Sequence, residues 1–380
     1  MKFYASTIYQ ECKTGHQVCG DAADCIRTST STVMILCDGV GSGCYANIAA
    51  LMCLGRLSEL CSSSLSFKEA CSLVASSMHR ARSENIPFAA FSAVKLFQDG
   101  HFKAYTYESP TPIIIRKNGK ATNLKAERFI TAGYEVLGEY YGMLEIGDRF
   151  LMFSDGVSQA GLGNEYLFGI DSKGVADYIT EIQDAPPMTL LKKIANMTKE
   201  ISGGRAQDDT TLAMLQCREA NQLTIATGPP QGRTRDREYV NRFMNNPGVH
   251  VVCGSTTADI VARELGKELQ YLAPSTTFGA PPEYKIDGIE MTTEGAMMLN
   301  QVYNILDEPV EFLSDSSPVE RLAKYIHRAD VITIIHGSAV NKAHEDLIFK
   351  QIGVRPRQTT VNLLEKKLEA MGKLVIMVQF

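Results

Sequence analysis

The sequence lacks the features that mark several specialised classes of protein. No apolar run approaches membrane-spanning length, and residues 1–4 do not begin a signal peptide. The net charge of −5 is too mild to indicate nucleic acid as the main partner. We therefore expect a cytoplasmic protein that binds neither a membrane nor a nucleic acid.

The chain is also poor in patterns that bind zinc. It has seven histidines and ten cysteines, but no Cys-x-x-Cys pair. Eight of the cysteines lie between Cys12 and Cys71, at spacings that match no zinc or iron–sulfur pattern. Several fall among Leu, Met and Ala, where a free thiol behaves as a small hydrophobe. We interpret them as reduced structural thiols, with a redox sensor or a metal cluster as the alternative.

Length and composition predict two globular domains. A chain of 380 residues exceeds what one ordinary core supports. Its hydrophobic content of 44% and charged content of 21% are typical of a folded globular protein. A short polar connection at residues 217–221 separates a first domain, residues 1–218, from a second, residues 222–380.

The first domain mixes helical and strand patterns. Residues 46–57 are apolar on nearly every face, which predicts a buried helix, and residues 67–82 repeat apolar positions at helical spacing. Residues 90–97 and 101–107 flank a turn and predict a hairpin. Hairpins that follow helices predict an α+β fold in which helices cover sheets.

The most informative stretch is the apolar run 33–37, which ends in Asp38 and is followed by three glycines in five residues. A carboxylate at the end of a buried strand is costly to desolvate unless a cation or hydrogen-bond donors meet it. Glycine lets the backbone come close to whatever binds there. The stretch therefore predicts a metal site at Asp38.

Further acids repeat this context, because each lies at the end of an apolar strand or in a glycine-rich turn. They are Asp21, Asp155, Asp208 and Asp209. If the strand ends gather at one edge, hard oxygen ligands suit Mg²⁺ or Mn²⁺ rather than zinc. Two ions bridged by one carboxylate can activate a water and neutralise a phosphoryl group during in-line attack. The pattern predicts hydrolysis of a phosphate monoester.

Taken together, these motifs resemble the metal-dependent protein phosphatase (PPM) superfamily, in its bacterial branch related to the sporulation protein SpoIIE. The matching motifs are Gly20-Asp21, Asp38-Gly39-Val40-Gly41-Ser42-Gly43, Ser154-Asp155-Gly156 and Asp208-Asp209-Thr210-Thr211. The resemblance implies an αββα sandwich with a site for two Mn²⁺ or Mg²⁺ ions in the cleft between the sheet edges.

The resemblance also implies a role for each ligand. Asp38 would bridge the two ions, the Gly39 carbonyl and Asp21 would serve one of them, and Asp155 and Asp208 would hold the other. Asp38 and Asp155 are the residues on which catalysis would depend.

The sequence differs from the wider superfamily at two points, an aspartate in place of an asparagine and the lack of an N-terminal arginine. Asp209 stands where many relatives have Asn, so it would either support the ligands or bind a third, weaker ion. The N-terminal Arg that contacts phosphate in the wider superfamily has no counterpart here, which agrees with the SpoIIE-like branch. Arg205 could reach a phosphate from its glycine-rich loop, although an exposed loop arginine is the simpler interpretation.

The resemblance implies a phosphoserine or phosphothreonine protein as substrate, such as an anti-anti-sigma factor.

Two other hypotheses for the function of the first domain remain. A pseudophosphatase would bind a phosphoprotein or a ligand without turnover, and a small-molecule phosphatase would use the same site on a metabolite. Oligomer formation is left open.

The second domain alternates apolar strands with helices, which predicts a three-layer α/β domain. Residues 291–306 are expected to form a helix. The loops at residues 254–257 and 337–338 follow strands and could form a ligand crevice. At the first of these loops we favour helix capping by Ser255 or Thr256 over anion binding. A regulatory or ligand-binding role is the most economical hypothesis for this domain, with a second enzyme as the alternative.

Overall fold

The computed structural model describes residues 1–28, 30–163, 166–182, 185–272, 281–339 and 355–380. It divides the chain into two compact units, Met1–Glu219 and Ala220–Phe380, which we describe separately. Within the described residues, none of the helices combines the length and the apolar character that a membrane span requires.

The first unit contains two antiparallel sheets. One has six strands in the order β2-β3-β4-β5-β9-β8, and the other has five in the order β1-β11-β10-β6-β7. The strands are β1 Lys2–Glu11, β2 Asp21–Arg27, β3 Ser31–Gly39, β4 Ala89–Phe97, β5 His101–Tyr107, β6 Ile113–Ile115, β7 Ala121–Asn123, β8 Arg128–Ala132, β9 Glu135–Met143, β10 Arg149–Phe153 and β11 Thr210–Glu219. The helices are α1 Cys44–Ser62, α2 Phe67–Ser83, α3 Asp155–Ser158, α4 Asp171–Glu181 and α5 Pro187–Ile201.

Successive side chains of the central strands point to opposite faces of each sheet, so one face packs against helices and the other against the second sheet. On β3, Val33 and Ile35 pack against α1 and α2, while Met34 and Leu36 point into the core between the two sheets. In the five-stranded sheet, Leu151 of β10 packs against α4 and α5, while Phe150 and Met152 point into the core between the two sheets. The result is a helix–sheet–sheet–helix arrangement, as the α+β pattern and the resemblance predicted.

Helix α1 differs from the prediction of a helix buried on all faces. One face is buried against β3 by Ala46, Ala49, Ala50, Cys53 and Leu57. The opposite face leaves large apolar side chains exposed, namely Tyr45, Ile48, Leu51 and Met52. The sequence pattern could not separate the two faces, because both carry apolar residues.

The cysteines are free thiols in this structure. Cys37, Cys53 and Cys71 are fully buried in the core between α1, α2 and the six-stranded sheet. Burial raises the pKa of the Cys71 thiol well above its usual value. These three thiols therefore pack as small apolar side chains.

The second unit is built on one sheet in the order β14-β15-β16-β13-β12-β17-β18. Strands β16, β13, β12, β17 and β18 are parallel, and β14 and β15 are antiparallel. The strands are β12 Gln222–Thr227, β13 Val249–Cys253, β14 Gln270–Tyr271, β15 Glu283–Lys285, β16 Met291–Thr293, β17 Val331–His336 and β18 Leu374–Gln379. The helices are α6 Asp236–Met244, α7 Ser255–Leu265, α8 Ala296–Ile305, α9 Pro318–Arg328 and α10 Arg357–Ala370.

Helices cover both faces of this sheet. Side chains of α8, α9 and α10 pack with Ile225 and Ile334 on one face, and those of α6 and α7 pack with Ala226 and Ile335 on the other. The helix predicted over residues 291–306 is wrong at its start. Residues 291–293 form β16, paired with β13, and the helix begins only at Ala296.

The two faces of α1 allow a matched test of packing in the first unit. Leu57→Ala removes a fully buried side chain and should lower the free energy of unfolding by about 2–5 kcal/mol. Met52→Ala, on the exposed face, should change it by less than about 0.5 kcal/mol. Urea denaturation measures both. Equal effects would contradict a helix with one buried face.

Candidate metal centre

The predicted acids of the first unit come together where the strands of its two sheets end. Asp21 begins β2 and lies opposite Asp38 near the end of β3. Asp155 begins α3 directly after β10, and Asp208 precedes β11, the neighbour of β10. A hydrogen bond joins the sheets at this point, because the Asp155 backbone N–H donates to Asp38 Oδ2 at 3.2 Å.

The carboxyl groups of Asp21, Asp38 and Asp155 have raised pKa values, because burial and mutual repulsion disfavour their charged forms. Burial raises the pKa of Asp38 to about 9, and the neighbouring Asp21 and Asp155 add to this shift. Burial also raises the pKa of Asp21 to about 6 and that of Asp155 above its usual value. Without a cation, the cluster therefore holds at least one proton at neutral pH.

One oxygen of this cluster has no hydrogen-bond partner. Asp21 is only 3% exposed, and its Oδ2 atom meets no donor in the part of the chain that the structure describes. A buried polar atom without a partner costs free energy, and a buried charge costs more. A cation beside Asp21 would remove this cost and the repulsion from Asp38.

Glycines let the backbone close tightly around the acids. A Cβ atom at Gly39 would collide with the carbonyl oxygen of Ala46 in α1, and one at Gly156 would collide with the carbonyl oxygen of Asp209. The glycines that follow Asp38 and Asp155 are thus required by close packing. Neither has the left-handed φ that favours glycine.

Asp208 is the most accessible of the predicted ligands. Its side chain is 41% exposed, and it lies near enough to Asp155 to raise the pKa of that carboxyl. A cavity of about 190 Å³ opens beside it, lined by Gly156, Gln159, Ala160, Leu162, Gln207 and Asp208. A larger cavity of about 660 Å³, lined by residues such as Phe97 and Met143, lies at the far end of the six-stranded sheet.

Asp209 uses both of its carboxylate oxygens within the protein. Its Oδ1 atom accepts the backbone N–H of Lys13 at 2.8 Å, and its Oδ2 atom accepts that of Gly20 at 2.9 Å. These bonds fasten the loop between β1 and β2, which leads into Asp21. These contacts are those of a residue that supports the position of Asp21, and the role of Asp209 toward a metal stays a prediction.

Two neighbours of the acids were missed by the sequence analysis. Gln159 donates its side-chain N–H to Asp155 Oδ2 at 2.9 Å, one helical turn away, and this i, i+4 spacing was a usable signal. Lys13 places its Nζ atom 3.9 Å from Asp208 Oδ1. No local pattern marked Lys13, because 195 residues separate it from Asp208 in the sequence. Arg205 is exposed, as the simpler interpretation expected.

The donors fit a hydrated Mg²⁺ or Mn²⁺ site. Among the described residues, no three Asp, Glu, His or Cys side chains form a closed cage for one ion. Mg²⁺ needs no such cage, since it keeps several waters and is usually bound by one or two carboxylates. Carboxylate oxygens, the Gly39 carbonyl and the unpartnered Asp21 Oδ2 are suitable donors for an open site of this kind.

A family model described as stage II sporulation protein E (SpoIIE) matches residues 28–218, half of the chain. The chain belongs to the SpoIIE family. The resemblance to the SpoIIE branch of the PPM superfamily is thereby confirmed. The matched residues include Asp38, Asp155 and Asp208, and Asp21 lies just before them.

Solved structures that are similar to this chain include phosphatase domains. The phosphatase domain of SpoIIE from Bacillus subtilis, with a fragment of its regulatory domain, is 17% identical with a TM-score of 0.48, and the match covers 57% of this chain and 64% of that one. The RsbU and RsbW domains of Rv1364c from Mycobacterium tuberculosis are 20% identical with a TM-score of 0.48, over 63% and 67% of the two chains. RsbX in complex with magnesium is 17% identical with a TM-score of 0.41, over 57% and 100%. No curated protein matches the chain.

The buried charge predicts a pH dependence of stability in the absence of metal. The folded pKa of Asp38 lies above its unfolded value, so the fold prefers the protonated form and loses stability as the pH rises toward about 9. In EDTA, wild type should therefore lose stability relative to Asp38→Asn between about pH 5 and pH 9. Urea denaturation across this range measures the difference. The control Asp177→Asn changes an exposed residue of α4 and should follow wild type; parallel curves for wild type and Asp38→Asn would refute the assignment.

The contacts of Asp209 predict that it supports the site without binding metal. Asp209→Asn keeps one acceptor oxygen for the loop amides, so this outer contact is only partly lost and Mn²⁺ affinity should fall by no more than about threefold, below the roughly 10–100-fold cost of losing such a contact completely. Asp208→Asn removes a charged ligand and should lower it by about a hundredfold or more, beyond the range typical of outer contacts. Calorimetric titration with Mn²⁺ measures both affinities. An equal loss in the two variants would make Asp209 a ligand.

Proposed function

We propose that this protein is a Mn²⁺- or Mg²⁺-dependent phosphatase that hydrolyses phosphoserine or phosphothreonine in proteins. The observation that carries the proposal is the cluster of carboxyl groups at the sheet ends, in which the pKa values of Asp21, Asp38 and Asp155 are raised and Asp21 Oδ2 is a buried atom without a hydrogen-bond partner among the described residues. Membership of the SpoIIE family supports the same reaction class.

In this proposal the acids divide between two ions. Asp21 and the Gly39 carbonyl would hold one ion, Asp155 and Asp208 would hold the other, and Asp38 would serve both. The mutual effects of Asp21, Asp38 and Asp155 on one another's pKa values, and that of Asp208 on Asp155, support a single cluster of neighbouring acids. When bound, the ions supply an activated water and neutralise charge on the phosphoryl group.

The surrounding residues orient these ligands. The Asp155 amide fixes Asp38 Oδ2, and the Gln159 side chain fixes Asp155 Oδ2. Asp209 holds the loop that precedes Asp21. Such outer contacts set the direction of each ligand oxygen, and losing one typically costs about 10–100-fold in metal affinity or activity.

The size of the adjoining cavity favours a protein substrate. At about 190 Å³ it is smaller than the roughly 300–1,000 Å³ of pockets that enclose a small molecule. A phosphorylated side chain presented from a protein surface needs no enclosing pocket. The partly exposed Lys13 adds a positive charge at this edge, where a phosphate would approach.

The two other hypotheses fit these observations less well. A pseudophosphatase would not need the full set of acids, and a small-molecule phosphatase would need a deeper pocket. A phosphorylated regulatory protein, such as an anti-anti-sigma factor, is the first substrate class to test.

We further propose that the second unit regulates the phosphatase.

The test is turnover of phosphoserine peptides and p-nitrophenyl phosphate with added Mn²⁺. Asp38→Ala and Asp155→Ala should each lower kcat/KM by about a hundredfold or more, because each removes a metal ligand. Asp177→Ala, on the exposed face of α4, should retain wild-type turnover. Phosphorylated metabolites provide the comparison for substrate class.

Three results would contradict the proposal. Turnover of metabolites well above that of phosphopeptides would indicate the small-molecule phosphatase. Metal binding without turnover of any substrate would indicate the pseudophosphatase. Turnover that persists in both alanine variants would exclude the acids from the reaction.

A further inference from the structure

The parallel sheet of the second unit has a point at which its strand order reverses. From β12, the sheet continues through β13 and β16 on one side and through β17 and β18 on the other. In open α/β sheets, ligands bind outside the carboxyl ends of the strands at such a point. The residues that follow these central strands are Gly228 after β12, Gly254 after β13 and Gly337 after β17.

Helix α7 begins at this edge without a side-chain cap, so the predicted capping by Ser255 or Thr256 is wrong. Gly254 occupies the cap position with φ 138°, and Ser255 and Thr256 are instead the first helical residues. The first amides of an uncapped helix carry unsatisfied donors and a partial positive charge, which favour an anion. The neighbouring α8 differs, because Glu294 Oε2 accepts the Met297 N–H at 3.2 Å.

Two buried hydroxyl groups at the same edge have no hydrogen-bond partner among the described residues. They belong to Thr227, which is fully buried at the end of β12, and Thr257, which is 1% exposed in the first turn of α7. A Cβ atom on Gly254 would stand 3.1 Å from Thr257 Oγ1 and 4.0 Å from the Gly228 amide nitrogen. The Thr257 hydroxyl thus borders the space at the N-terminus of α7 that is open because Gly254 has no Cβ atom.

A guanidinium group supplies positive charge at the same edge of the sheet, next to Gly228. Arg357 packs directly against Gly228, where any Cβ atom would collide with it. Its Nη2 atom donates to the carbonyl oxygens of Gly337 at 3.0 Å and Ala339 at 2.8 Å. These acceptors are neutral, so its charge remains available to an anion, and a guanidinium group has further N–H donors to offer.

We propose that this edge of the second unit binds a small molecule that carries a phosphate group. The first-turn amides of α7, the Thr257 hydroxyl and the Arg357 guanidinium are its phosphate contacts. Phosphate suits them because its several oxygens accept from donors in different directions. The site lies in the second unit and is separate from the proposed metal centre.

The test is calorimetric titration of the 380-residue chain with ADP and with inorganic phosphate. EDTA is present so that metal-bound phosphate in the first unit does not contribute. We expect saturable binding of at least one probe, with a Kd below about 1 mM. Thr257→Val should weaken it by about five- to tenfold, and Arg357→Gln by about tenfold or more.

Two features separate a binding role from a structural one. Thr257→Val removes a hydroxyl that has no partner in the part of the chain that the structure describes, so it should leave the melting temperature of the unliganded protein unchanged or higher. Thr292→Val is the matched control. Its hydroxyl is also buried and unpartnered, but the residue lies within the β16 ladder, and binding should be unchanged.

Three results would overturn the proposal. The first is the absence of saturable binding of either probe at about 10 mM. The second is an affinity that neither Thr257→Val nor Arg357→Gln changes. The third is an equal loss in Thr292→Val and Thr257→Val. If Arg357→Gln fails to fold, the comparison of the two threonine variants decides.

Discussion

The first unit places several carboxyl groups side by side, with Asp21 buried and Asp38 and Asp155 half-buried. Like charges repel strongly away from water, so Asp21, Asp38 and Asp155 can all be ionised only if a cation lies among them. The fold nevertheless brings them together, with backbone contacts close enough to require glycine after Asp38 and Asp155. The cores on either side of the two sheets must therefore stabilise an arrangement that is locally unfavourable in the absence of metal.

The residues nearest the chemistry could be predicted because their signals are local. Asp38 lies near the end of a buried strand and Asp155 just after one, each precedes a glycine, and the structure places both at one edge. The role of Asp209 could not be predicted in this way, because its partners Lys13 and Gly20 lie 196 and 189 residues away in the sequence. Which amide meets which carboxylate depends on how two distant loops pack.

Elsewhere, the limits of prediction follow from packing and loop geometry. Residues 291–293 have a pattern that continues into a helix, and only their pairing with β13 makes them a strand. The apolar residues of α1 do not reveal which face meets the sheet. At α7, Ser255 and Thr256 are good capping residues, but Gly254 takes the cap position one residue earlier. That shift leaves helix amides open at the edge where Arg357 lies, and it could not be predicted from residue types alone.

If the clustered acids form a site for cations, metal binding must displace the proton that they hold, and the number of protons released measures this displacement. Calorimetric titration of the EDTA-treated protein with Mn²⁺ at pH 7, in buffers of different ionisation enthalpy, measures how many protons are released per chain. Because burial raises the pKa of Asp38 to about 9, we predict the release of about one proton or more per chain. The same titration of Asp38→Asn should release fewer. Mn²⁺ binding with no proton release, or no saturable binding, would show that these acids are not the cation site.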